Sequence, residues 1–155
     1  MKEDKNFIVT INCLTIEQAL RIYDRTEGTI KCMGKNIKYE IINHDVIVYI
    51  PKELNLMPVI IYNENQDSMS YIREEVGIEI NISYNGDPII LRKIETIIRA
   101  QFQSNSDDHY KSGDIIIDSY NNSNNNLNSL TIYINNKLGI EPVLVLLPHD
   151  TDTDL

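Results

Sequence analysis

Hydrophobic and polar positions alternate with the most internal consistency between Ile78 and Gln103, a stretch that reads as a strand (IEINISY), a tight turn (NGDP) and an amphipathic helix (IILRKIETIIRAQFQ). Asp87 suits a helix N-cap, and Pro88 suits the first helical position, where its missing N–H costs nothing. Ile90, Ile94, Ile97, Ile98 and Phe102 then recur at helical spacing with Leu91 on their flank. Arg92, Thr96, Arg99 and Gln103 line the other side, so this helix has a core face and a wet face.

Towards the N-terminus, Phe7 to Cys13 alternates as a strand does, with Phe7, Val9, Ile11 and Cys13 on one side. Thr15 to Gln18 has the form of a capping box, in which the Thr15 hydroxyl covers the N3 amide and Gln18 reaches back. Ile16, Ala19, Leu20 and Tyr23 follow at helical spacing, and Gly28 offers a stop, so the pattern predicts a helix over about Ile16 to Thr26. Three short strands are expected next, Thr29 to Met33, Ile37 to Ile42 and Val46 to Ile50, joined by spacers of hairpin length into an antiparallel meander ended by Pro51. A further strand is expected at Pro58 to Tyr62, and a short helix capped by Asp67 or Ser68 that stops at Gly77.

Beyond Gln103 the character changes. Ser104 to Ser112 is polar, and Tyr120 to Asn128 is an Asn/Ser tract that supplies no core. Strands are expected at Asp114 to Asp118, Leu130 to Ile134 and Val143 to Leu147, the last an apolar run between Pro142 and Pro148. No internal repeat, heptad run or interdomain linker is evident. The expected fold is therefore α+β: a single domain over residues 1–148, mostly antiparallel sheet with two or three helices packed on one side, followed by an acidic tail over 149–155.

Composition changes this picture mainly by exclusion. At 155 residues the chain is long enough to bury a core without disulfide or metal staples. The net charge is −9, and since positive and negative residues balance over the first fifty, the whole excess lies after Ile50. That distribution argues against direct nucleic-acid binding by phosphate neutralisation and against docking on anionic membrane. No apolar run approaches the ~20 residues of a spanning helix, and MKEDKNFIV lacks the apolar core of a secretion signal, so the expectation is a soluble protein made in the cytoplasm. Cys13 and Cys32 sit in apolar contexts and are expected as buried, reduced thiols. Heavy use of Ile and Asn is what an AT-rich coding sequence produces, as in phages and other low-GC genomes.

Candidate chemistry is sparse. Asp107, Asp108 and His109, with Asp114 and Asp118, are the one place where an imidazole and several carboxylates crowd together, as a hydrolase or a divalent-metal site requires. They also have the composition of a solvated loop. Asp150, Asp152 and Asp154 repeat the first half of a calcium-loop pattern without its Gly and final Glu. His44 and His149 belong to no motif, and the chain has no phosphate-binding glycine loop, HExxH, GxSxG or zinc spacing. No cofactor is expected.

The leading expectation is accordingly a non-enzymatic structural or interaction protein, in the narrower form a small virion, tail or connector component of a phage-like element. Its expected partners are copies of itself or other assembly proteins, with contacts through Arg92, Arg99, Asp107, Asp108, Asp150, Asp152 and Asp154. The alternatives are an acidic inhibitor or immunity protein directed at a basic or nucleic-acid-binding partner, and a hydrolase or metal enzyme centred on His109.

Overall fold

The computed structural model describes residues 7–64, 77–86, 88–103, 115–122, 127–135 and 140–148. Eight strands and two helices follow in the order β1 (Phe7–Asn12), α1 (Ile16–Met33), β2 (Lys38–Ile42), β3 (Asp45–Ile50), β4 (Leu56–Glu64), β5 (Gly77–Asn85), α2 (Pro88–Gln103), β6 (Ile115–Asn122), β7 (Leu127–Asn135) and β8 (Ile140–Pro148). This is an α+β fold with antiparallel sheets. The short helix expected before Gly77 falls outside the described residues.

Six strands form one sheet in the order β2-β3-β1-β5-β7-β6, and β4 pairs with β8 in a separate ribbon. The centre of the sheet is the β1–β5 pair, in register Phe7↔Tyr84 to Asn12↔Glu79. Strict alternation makes one face apolar: Phe7, Val9 and Ile11, then Val46, Val48 and Ile50, then Ile78, Ile80, Ile82 and Tyr84, then Leu130, Ile132 and Ile134 are all buried. Phe7 and Tyr84 stack there at 4.2 Å between ring centroids. The two helices and the ribbon complete one continuous core with that face. Residues of the opposite parity, such as Ile8, Thr10, Ile47, Asn81 and Thr131, form an open outer face.

α1 is longer than its pattern suggests. Thr15 caps it as expected, its hydroxyl accepting from the Gln18 amide at 3.1 Å, but Gly28 is an interior residue and the helix runs on to Met33. The segment 29–33 is thus helix rather than strand, and β2 and β3 make a simple hairpin instead of a three-stranded meander. A helical glycine costs about 1 kcal/mol relative to alanine. Against that, Ile30 extends the buried stripe of Ala19, Ile22 and Thr26, and Glu27 pairs with Lys31 at 3.2 Å. Termination falls to Gly34, whose φ of 68° is the left-handed conformation that glycine adopts without penalty. Cys13 is buried, but Cys32 lies exposed on this helix, which corrects the expectation of two buried thiols.

Among the described residues the fold repeats one topology twice, which corrects the expectation of no internal repeat. Each half runs strand, helix, strand, strand, strand, and the sheet order reads identically from either rim, so β1-α1-β2-β3-β4 and β5-α2-β6-β7-β8 are topologically equivalent. The antiparallel pairings β1–β5 and β4–β8 lie on the approximate two-fold that relates them. Burial follows the same relation: Ala19, Ile22 and Thr26 sit at the same distances from the start of α1 as Leu91, Ile94 and Ile98 from the start of α2. The buried alternation of Val46, Val48 and Ile50 on β3 recurs as Leu130, Ile132 and Ile134 on β7. β4 and β8 have equal length and share a proline at the same place, Pro58 and Pro142. The helices cross over, α1 packing on β8 and α2 on β4.

Candidate functional site

The chemistry of the described residues concentrates where α1 crosses β8. Gln18, Arg21 and Arg25 recur at helical spacing on one face of α1, and this face meets Glu141. Glu141 is 0% exposed, the one charged side chain among the described residues that is fully buried. Its Oε1 accepts from Arg25 Nη1 at 3.1 Å, and its Oε2 accepts from Arg21 Nη2 and from Gln18 Nε2, the latter at 3.5 Å. The Gln18 carbonyl oxygen meanwhile accepts from the Leu14 amide at 2.9 Å, so one side chain serves both the helix cap and the cluster.

This geometry binds the carboxylate tightly and leaves it little capacity for anything else. A buried carboxylate is tolerated only where donors replace its water, and here two guanidiniums and an amide do so. The Arg21 and Arg25 side chains remain 40% and 36% exposed as a whole, although Arg21 Nε is itself buried. The arrangement anchors α1 of the first half to β8 of the second.

Cys13 lies beside this cluster. Burial first, and then the negative charges of Glu141 and Asp45, push its thiol up to about 12, with Arg21 opposing. Such a thiol stays protonated at neutral pH and is a poor nucleophile and metal ligand. Its amide donates to the His44 carbonyl at 3.0 Å, which ties the start of α1 to the β2–β3 turn. His44 itself is exposed in that turn. Among the described residues no group of three or more His, Cys, Asp or Glu side chains could hold a metal ion.

Of the residues expected to meet partners, Arg92 and Arg99 are on α2 as the pattern predicts. Arg92 is exposed and borders a hollow of about 160 Å³ formed with Pro88, Leu91, Glu95, Ser119 and Leu130. Arg99 is half-buried: its Nε donates to Glu95 at 2.8 Å and its Nη2 to the Ile117 carbonyl at 2.9 Å, so it fastens α2 to β6. Asp118 is exposed on β6. Asp107, Asp108, His109, Asp114, His149, Asp150, Asp152 and Asp154 lie outside the described residues.

Sequence reading missed the Glu141 cluster altogether. The available signal was a single Glu opening an apolar strand beside Pro142, together with Arg21 and Arg25 on the face of α1 that carries Gln18. Comparison with protein-family models, with curated proteins and with solved structures finds no match, so any functional reading rests on the chain's own geometry.

Proposed function

We propose that this protein is a non-enzymatic interaction module, an internally duplicated scaffold whose six-stranded sheet offers its outer surface to other proteins. The observation that carries the reading is the character of that outer face. Ile8, Ile42, Ile116 and Tyr120 stay exposed on it, among the polar side chains of Thr10, Asn81, Ser83, Ser129 and Thr131. The middle of this face, Ile8 and Thr10 with Asn81, Ser83, Ser129 and Thr131, is uncharged, while Lys38, Glu40, Asp45, Glu79 and Asp118 lie towards its rims and ends, as at a contact whose centre is depleted of charge. The most concentrated charge among the described residues, around Glu141, is by contrast engaged in holding the halves together.

A virion, tail or connector component is one setting in which such a module would work, and composition alone supports that narrower form. The test is recovery of the tagged protein from its native source with the mass of the complex measured. A stoichiometric complex containing this chain is expected. Recovery as a lone monomer, or loss of function in His109→Ala with the fold intact, would count against the reading.

A further inference from the structure

The sheet ends in two rims, β2 and β6, and among the described residues each pairs with one neighbour only. An open rim is a template for another strand. Both rims hold core-face side chains that are only half-buried, Tyr39 and Ile41 on β2, and Ile115 and Ile117 on β6. On the outer face, β2 carries Lys38 and Glu40, and β6 carries Ile116, Asp118 and Tyr120. Within the duplication β2 and β6 are equivalent strands, so the same kind of edge occurs twice with different chemistry.

We infer that the β6 rim of one molecule pairs with the β2 rim of a second copy, in the antiparallel register that sets Asp118 opposite Lys38. This deepens the proposed function by naming a partner, and it rests on that reading. Strands alternate in direction across the sheet, so a copy placed beside β6 in the same orientation presents β2 antiparallel to it and continues the sheet unbroken. The register is selected by two conditions. Core-face residues must meet core-face residues, because a one-residue slip exchanges the faces. Opposite charges must meet as well. With Lys38 facing Asp118, Tyr39 falls opposite Ile117 and Ile41 opposite Ile115, so the half-buried apolar groups of both rims are covered together.

Pairing β6 with β6 of a second copy does worse. Centring it on Asp118 brings two carboxylates face to face and sets Ile117 against Ser119, and centring it on Ile117 sets Asp118 against Ile116. Arg99 grips β6 at the Ile117 carbonyl and so positions the strand beforehand. Because unlike rims meet, the contact is heterologous, and copies add in series until a ring closes or a filament grows.

Sedimentation velocity and native mass spectrometry of the full chain test this. The expected result is concentration-dependent association that passes beyond two copies. Lys38→Asp and Asp118→Lys should each weaken association roughly tenfold, since either change sets like charges opposite one another. An equimolar mixture of the two variants should associate again, because every contact between unlike variants restores an opposite pair, and this recovery also shows that both variants fold. A wild-type protein that stays monomeric, association that stops at two copies, or an Asp118→Lys variant that associates like wild type would each overturn the inference. A native complex holding one copy of this chain beside other proteins would end the edge pairing and leave the interaction reading standing. Recovery of a lone monomer would end both.

Discussion

Met57 and Glu141 occupy the same place in the two halves of the molecule: each immediately precedes the proline of its ribbon strand, and each strand lies against the helix of the opposite half. One half places a thioether there, the other a carboxylate held by Arg21 and Arg25. An approximate two-fold would allow either helix to sit on either strand. The unlike pair makes the correct crossing the one in which a buried charge is satisfied.

The cost of breaking that cluster depends on which partner is removed. Taking away both guanidiniums, in Arg21→Ala/Arg25→Ala, leaves Glu141 buried and short of donors and should destabilise by about 3–5 kcal/mol. Glu141→Gln should cost less, because the long, partly exposed arginine side chains can swing towards water. Urea unfolding of the two variants checks the order.

Raising the pH should destabilise the protein through Cys13. In the unfolded chain its thiol ionises near 9.0, whereas in the fold it holds its proton to about 12. Between those values the native state binds more protons, so stability falls as pH rises and the contribution is gone by the upper value. Tyr39 and Tyr49 act in the same direction. Their hydroxyls donate to Glu27 and Glu40; burial leads that hydrogen bond in raising Tyr39, and the bond leads burial in raising Tyr49. Cys13→Ala should flatten part of the alkaline slope in thermal melts. At pH 8 a thiol reagent should label Cys32 alone until the chain unfolds.

Arg92 and Arg99 share a helix and should respond differently to truncation. Arg99→Ala removes the bonds to Glu95 and to the Ile117 carbonyl, and should cost about 1 kcal/mol while speeding amide exchange along β6. Arg92→Ala, at an exposed position, should leave stability within about 0.5 kcal/mol of wild type.

Two glycines should give opposite signs on replacement by alanine. At Gly28, in the interior of α1, a Cβ meets nothing within 4 Å, so Gly28→Ala should stabilise by about 0.5–1 kcal/mol through helix propensity. At Gly77 a Cβ would run into the Ile134 carbonyl oxygen and the Tyr133 ring, so Gly77→Ala should destabilise by about 1–3 kcal/mol. Chemical denaturation of both variants settles the pair.

Local signals that agreed with one another were readable. The strand before Pro88 and the helix that starts at it, the Thr15 cap and the alternation of β1 stand as their residues imply, because a cap or a buried stripe acts over neighbours in the chain, while Asp87, the expected cap of α2, lies outside the described residues. The end of α1 was not readable in the same way. Thr29 to Met33 alternates well enough for a strand, and it is the burial of Ile30 with the Glu27–Lys31 pair that carries the helix through it. The duplication left a trace in LMPVIIY against IEPVLVL, but seven residues of similar hydrophobicity are weak evidence until the strands are seen to pair. The candidate site was less legible still, since Arg21 and Glu141 are 120 positions apart.

By itself the sequence determined the apolar periodicities, the caps, the acidic excess beyond Ile50 and an α+β class. Tertiary structure alone decided the strand order, the crossing of each helix onto the other half's ribbon strand, and the conversion of three helix side chains and one strand carboxylate into a buried cluster. The reason is physical: propensity and capping are summed over a few neighbouring residues, whereas sheet order, burial and charge pairing depend on contacts whose members are distant in the chain. Lys38 and Asp118 extend the same logic, since their relation exists only once two rims are set at opposite ends of one sheet.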